Sequence, residues 1–354
     1  MRPGLAIVAF WAVLAEFSIS YGSYGMVDMD GDGLDDDFEM TCAQRFKPVV
    51  YLAQKEEFGP ITVDTFLQSC YLRKYGTCGH GGLSSVNISD TAGFCLWETA
   101  VSTRYAPCGF KDPDTTLGPC TPATLASEAS AQCGGADGCY IRCLGCQETG
   151  KCENLGLDQP DAKGTHGAEA LKNIPFYVHV FRDTGGTVQI QYWFFYAFNG
   201  PTDGFGTHQG DWEHFSIRAD AKCLTRLAYV PFAHGTPPPW SNATMGEEGG
   251  HAVVYSAINS HATYLTVGTQ PGGTPITHDH TSKGERWFPD SLINAGETTC
   301  AQSGRRPMRD DTKWVDFTDV WGSNSAFDGS LNNGACDSGP HLQWNEQMPD
   351  SFCK

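Results

Sequence analysis

Two carboxylates and an imidazole, Asp211, Glu213 and His208, lie close together at the end of the stretch 189–218, QIQYWFFYAFNGPTDGFGTHQGDWEHFSIR. The stretch opens on an aromatic run at 192–196, breaks at Asn199-Gly200-Pro201 and resumes at His208. Aromatic and β-branched residues suit a pleated, packed surface and Asn-Gly-Pro does not, so the two halves are predicted to be neighbouring strands. On a strand through 211–218 the side chains alternate. Asp211, Glu213, Phe215 and Ile217 then share one face, and Trp212, His214, Ser216 and Arg218 share the other. Two acids at the rim of an apolar face need a cation, a shared proton or several donors. One expectation is a divalent-cation site (Ca2+, Mg2+ or Zn2+) made by His208, Asp211 and Glu213. The other is a hydrogen-bonded network with Arg218, His261 or backbone amides. His214, His251 and His261 are the candidates for acid–base work if the site is catalytic.

A second group with metal-binding spacing comes earlier. The run Asp28-Met29-Asp30-Gly31-Asp32-Gly33-Leu34-Asp35-Asp36-Asp37-Phe38-Glu39 places acids at positions 1, 3, 5, 9 and 12 of a loop with Gly at position 6. That is the pattern of an EF-hand-like calcium loop. Asp28, Asp30, Asp32 and Asp36 would face the ion, Leu34 would offer its carbonyl, and Glu39 would offer both carboxylate oxygens. A short helix is predicted to follow, up to Phe46, and the loop is expected to tie down the N-terminus with Ca2+.

The elements that must position these groups are β-rich. The 354 residues include 41 Gly and 20 Pro, with 40% hydrophobic and 18% charged residues, a compact and turn-rich composition. Strands are predicted at 45–52, 176–182, 188–198, 211–218 and 227–232, two short strands or a strand and a turn at 251–256 and 261–265, and a solvated loop, or a metal-chelating one, at His278-Asp279-His280. Short strands joined by Gly- and Pro-rich connections predict a mainly β fold, an antiparallel β-sandwich with long loops. The net charge of -18 argues against a nucleic-acid partner, because a phosphate backbone would be repelled.

Arg2, the apolar run 5–15 and a small-residue exit at 18–22 form the pattern of a secretory signal, too short for a span of about 20 residues. No later stretch qualifies as a span. The 15 cysteines agree with an oxidising compartment, and their odd number leaves one unpaired. Sequons at Asn87 and Asn242 are expected glycosylation sites. The chain is thus divided into a signal at 1–22, the calcium loop and short helix at 23–45, and one domain at 46–354. That domain is interrupted at 70–155 by a cysteine-rich insertion.

The segments Phe46-Lys47-Pro48-Val49-Val50-Tyr51-Leu52, Gly210-Asp211-Trp212-Glu213-His214, His251-Ala252-Val253-Val254-Tyr255 and Ser260-His261-Ala262-Thr263-Tyr264 occur in this order. They are followed by Val320-Trp321-Gly322 and Ser338-Gly339-Pro340. This set resembles the vacuolar protein sorting-associated protein 62 family, which implies a β-rich fold without implying an activity. More distantly, His208, Asp211 and Glu213 resemble part of the Gly-His-Arg-His-Asp-Trp-Glu signature of the secreted necrosis- and ethylene-inducing peptide-like proteins. The departures are an inserted Thr207 and Gly210 in place of a histidine. The resemblance implies divalent-cation binding by those three residues and attachment to lipid head groups.

The expected function is therefore a secreted, calcium-binding, non-enzymatic protein that recognises a glycan or a membrane lipid head group, with peripheral membrane contact. The vacuolar or secretory lumen is the alternative location. Two alternative functions are a metal-dependent hydrolase of an ester, glycan or phosphodiester, and a trafficking or cell-surface module with structural calcium only.

Overall fold

The structure is a computed structural model. It describes residues 27–67, 163–183, 185–200, 210–231, 240–242, 246–272 and 278–296, the single residues 312, 314, 315 and 321, and the backbone alone of 68, 70–74, 115–119, 139–143 and 208–209. The expected signal at 1–22, Asn87 and most of the cysteine-rich stretch lie outside the described residues.

In chain order the strands are β1 (Val49–Tyr51), β2 (Cys70–Lys74), β3 (Thr115–Pro119), β4 (Cys139–Cys143), β5 (Phe176–Arg182), β6 (Val188–Asn199), β7 (His208–Ala219) and β8 (Arg226–Pro231). There follow β9 (Glu247–Glu248), β10 (His251–Ser256), β11 (Thr263–Tyr264), β12 (Gly268–Pro271), β13 (His278–Thr281), β14 (Arg286–Trp287) and β15 (Leu292–Asn294). The helices are α1 (Asp36–Phe46), α2 (Val63–Gln68) and α3 (Ala168–Leu171).

One five-stranded sheet runs β15-β5-β6-β7-β8. A second runs β11-β10-β1-β14, with β9 paired to β10. The predicted strands are present, and the long pairs β5–β6, β6–β7 and β7–β8 are antiparallel as expected. Two pairings correct the all-antiparallel expectation: β1 lies parallel to β10, and β15 lies parallel to β5. Each joins strands far apart in the chain, and parallel neighbours require a long crossover that strand spacing does not reveal. Within the cysteine-rich stretch, β3, β2 and β4 form a three-stranded sheet in which Cys70 stands opposite Cys143.

Every residue of β6 is buried, because the central sheet is covered on both faces. Ile190, Tyr192, Phe194 and Tyr196 join Phe215 and Ile217 in a core shared with Val50 and Leu52, Val254 of β10 and Trp287 of β14. Trp193, Phe195 and Ala197 point the other way, into a cluster with Trp212, Phe66, Trp314 and Trp321. A strand buried on both faces reads as a continuous apolar run, which explains the five aromatics in succession.

Helix α1 begins at Asp35, whose carboxylate accepts from the backbone N–H groups of Asp37 and Phe38. Its inward face carries Glu39, Cys42 and Ala43, spaced three and four residues apart. Cys42 forms a disulfide with Cys223 beyond the end of β7, and the Tyr192 hydroxyl donates to the Ala43 carbonyl at 2.8 Å. These contacts fasten the acid-rich N-terminal turn to the central sheet.

Candidate functional site

The N-terminal loop is folded by its own carboxylates. Asp28 accepts from the N–H of Gly31 at 2.7 Å and of Gly33 at 3.0 Å, and Asp32 accepts from Leu34 at 2.6 Å. Asp36 accepts from Met29 at 2.9 Å. Gly31 sits at φ 81 and Gly33 at φ 94, the left-handed region that lets the chain reverse without a side-chain clash. Leu34 anchors the loop in the core at 4% exposure. The turns bring ligand atoms of Asp28, Asp30 and Asp36 within 4.8 Å of one another.

Glu39, the twelfth residue of the loop, is fully buried. Its Oε2 accepts from the Asn294 side-chain amide at 2.8 Å, while Oε1 is buried with no hydrogen-bond partner. Burial first, and then the charges of Asp30 and Asp32, push its carboxyl up to about 10. Acids gathered this closely, with a buried oxygen unsatisfied, fit a hard cation taking oxygen ligands. Of the six residues singled out from the sequence, Asp28, Asp30 and Asp36 bring ligand atoms together, Asp32 and Leu34 lie in the same loop, and Glu39 stands in the first turns of α1. Asn294, which orients Glu39, was not among them.

The acids of β7 are placed differently. Gly210 precedes them at φ 64, and a Cβ there would lie 2.5 Å from the Trp321 carbonyl oxygen, so the close approach of these segments requires glycine. The predicted alternation holds: Trp212 joins the tryptophan cluster, while Phe215 and Ile217 face the shared core. Asp211 is buried, and its Oδ2 lies 2.6 Å from His261 Nδ1. On the far side of the ring, Nε2 lies 3.5 Å from Glu56 Oε1. Glu56 also accepts from the N–H of Phe58 at 2.9 Å and of Asn259 at 2.7 Å. The imidazole stacks on Tyr196, centroids 3.8 Å apart and planes 4° from parallel. Burial opposes a charge on His261, but Glu56 and Asp211 outweigh it and push the group up to about 9. An imidazolium thus lies between two buried carboxylates, the network arrangement with His261 as donor.

Of the two readings of this segment, the turn holds at His261, and the strand begins at Thr263. His261 sits at φ 56 in the turn before β11, and this backbone aims the ring at Asp211. Glu213 is buried two residues along β7, on the side of Tyr196, whose phenol is raised first by burial and then by the charges around it, that of Glu213 among them. The side chain of His208 lies outside the described residues.

The remaining histidines are dispersed. His214 is buried on the opposite face of β7 against Trp193, 4.4 Å between centroids, and burial pushes it down to about 3. His251 Nδ1–H donates to the Lys47 carbonyl at 2.8 Å, and its ring packs edge-on against Phe288. The triplet His278-Asp279-His280 is a strand and not a loop: its histidines are exposed, while buried Asp279 accepts from the hydroxyls of Ser260 and Tyr264, each at 2.7 Å. Glu56, Asn259 and Asp279 escaped the sequence reading. A carboxylate in a Gly-Pro turn or a polar triplet carries no periodic signal, and only the packing of distant segments brings Glu56 to His261 and Asp279 to Ser260 and Tyr264.

The profile of the family described as vacuolar protein sorting-associated protein 62 matches residues 153–333. The chain is similar to vacuolar protein sorting-associated protein 62 of Saccharomyces cerevisiae, at 25% identity over 214 residues, which is 53% of this chain and 44% of that protein. It thus spans less than half the length of that relative. Among solved structures it is similar to Necrosis and Ethylene inducing Protein 2 from the causal agent of cocoa's Witches Broom disease, at 21% identity. That likeness covers 29% of this chain and 49% of the other, with a TM-score of 0.24, too low to carry an argument. The profile match includes Asp211, Glu213 and His261 and does not reach the loop at 28–39 or Glu56.

Proposed function

The chain belongs to the vacuolar protein sorting-associated protein 62 family, and from that premise we propose a calcium-stabilised, non-enzymatic recognition module of the secretory or vacuolar route. Calcium would be held in the N-terminal EF-hand-like loop by Asp28, Asp30, Asp32, Asp36 and Glu39, with the Leu34 backbone carbonyl. The two five-stranded sheets form a sandwich whose outer surfaces meet a glycan or a lipid head group. The observation that carries the calcium reading is Glu39, buried at 0% exposure with one oxygen fixed by Asn294 and the other unsatisfied beside the acid loop. A buried acceptor without a donor costs about 1–3 kcal/mol, and more when charged, and a bound cation removes that cost. The Cys42–Cys223 disulfide supports an oxidising compartment, and the exposure of Asn242 suits a glycosylated sequon.

The hydrolase reading is weaker on the same geometry. A general base must be unprotonated and able to accept a proton near neutral pH. His261 already holds its proton between two carboxylates, and His214 is a very weak base inside an aromatic cluster.

Calcium titration of the purified protein by calorimetry tests the proposal. One site is expected in the wild type, with affinity reduced at least tenfold in Glu39→Gln. The absence of calcium heat in the wild type, or equal affinity in the variant, would overturn it.

A further inference from the structure

The sheet that carries β1 and β10 presents an organised row of side chains on the face turned away from the main core. Tyr51 stands opposite Tyr255 on the parallel neighbour β10, and Tyr255 stands opposite Tyr264 on β11. On the other side, Tyr51 stands opposite Arg286 of β14. Directly paired residues on adjacent strands share a face, so Arg286, Tyr51, Tyr255 and Tyr264 cross four strands in line. The alternate residues Val50, Val254 and Trp287 point to the main core, which places this row on the opposite face, where Tyr51 is buried with Val49 and Val253 and Tyr255 packs against them.

The row is held in shape. The rings of Tyr51 and Tyr255 stack with centroids 6.0 Å apart and planes 23° from parallel. Lys283 Nζ lies 4.4 Å from the Tyr51 centroid. Glu248 accepts from the Tyr51 hydroxyl at 2.6 Å and from Arg286 Nε at 2.7 Å, and lies 3.9 Å from Lys283 Nζ. Two cations thus share a single carboxylate, leaving one positive charge in excess on a chain whose net charge is -18. Tyr51 itself is buried and serves as the support of the row; the reachable groups are Lys283, whose side chain is 59% exposed, Arg286 at 40%, and the half-buried Tyr255 and Tyr264.

We propose that this row is a binding site for a ring polyol bearing an anionic group, a pyranose or inositol ring substituted with phosphate or carboxylate. Neighbouring strands lie roughly 4.8 Å apart, so Tyr255 and Tyr264 offer adjoining aromatic surface to the C–H face of such a ring. Lys283 and Arg286 pair with the anion, Arg286 through its planar fork. Glu248 orients both cations and accepts from ring hydroxyls. The same chemistry is found at the end of a soluble glycan and in the head group of an inositol lipid. This inference rests on the recognition part of the proposed function and not on the calcium loop.

Saturation-transfer NMR with glucose 6-phosphate, glucuronate and glucose, alongside co-sedimentation with phosphatidylcholine vesicles with and without phosphatidylinositol 4-phosphate, tests it in calcium and again in a chelator. Transfer from either anionic sugar well above that from glucose, reduced at least tenfold in both Tyr255→Ala and Lys283→Ala, is the expected result for a soluble ligand. Binding only to the phosphoinositide vesicles, with the same loss in both variants, assigns the site to a lipid head group. Lys283→Ala alters an exposed side chain and keeps the test interpretable if Tyr255→Ala fails to fold. Binding undiminished in Lys283→Ala, or no binding to any anionic probe, overturns the site. A protein that binds the sugar but not calcium retains this inference and loses the calcium reading; the reverse result does the opposite.

Discussion

Asn294, on edge strand β15, donates its side-chain amide at 2.8 Å to Glu39, 255 residues earlier in the chain. The twelfth position of the acidic loop is thereby held by the central sheet and not by its own helix alone. Because β15 pairs in parallel with β5, this hydrogen bond ties the Glu39 carboxylate to the edge of the central sheet.

Calcium is therefore expected to raise the melting temperature of the whole protein. A ligand at one hundred times its dissociation constant stabilises the folded state by about 2.7 kcal/mol. Differential scanning fluorimetry in calcium and in a chelator should show the rise in the wild type and its loss in Glu39→Gln, with Asn294→Ala intermediate. Equal melting temperatures with and without calcium in the wild type would count against a site in the loop.

Asp211 and Glu56 place their charges on either side of His261, so removing one of them leaves a buried ion pair broken. Asp211→Asn is expected to destabilise the fold by about 3–5 kcal/mol in urea denaturation. Elemental analysis should find the calcium content unchanged in that variant and lost in Glu39→Gln. Loss of metal in Asp211→Asn would instead assign a cation to the β7 acids, alongside His208 and Glu213.

The same imidazolium sets a pH dependence. Its folded-state value, about 9, lies above the ordinary 6.5, so its contribution is complete below about 6.5 and is lost as pH rises through about 9. Urea midpoints measured from about pH 6 to about pH 10, spanning that window, should fall toward the alkaline end for the wild type and flatten in His261→Gln. A wild-type profile as flat as the variant's would show that the ring is not held protonated.

The Cys42–Cys223 disulfide closes a loop of 181 residues between α1 and the turn after β7. Cys42→Ser is expected to cost about 2–4 kcal/mol. Mass mapping of a non-reduced digest should recover the two cysteines in one linked peptide pair, and finding either joined to another cysteine would contradict the packing of α1.

Trp212 packs among Trp193, Phe195, Trp314 and Trp321 on the face of β7 opposite Asp211. Trp212→Ala should cost about 3–5 kcal/mol and Trp212→Phe clearly less, read from urea unfolding curves. Similar losses in both would mean that ring volume at this position is not what the cluster requires.

Local spacing alone determined much of this protein. The loop turns at Asp28 to Glu39, the helix that follows, the aromatic strand β6 and the division of β7 into an acid face and a tryptophan face were all legible in the sequence. Each is a relation between residues a few positions apart, governed by backbone periodicity and turn sterics. The tertiary structure decided which distant groups meet. It placed β1 parallel to β10 and β15 parallel to β5, and set His261 between Asp211 and Glu56 through a left-handed turn. It also brought Asn294 to Glu39 and aligned Tyr51 with Tyr255 and Tyr264. Those meetings depend on how two sheets bury their apolar faces against each other, and the free energy of that burial belongs to the assembled core rather than to any one segment.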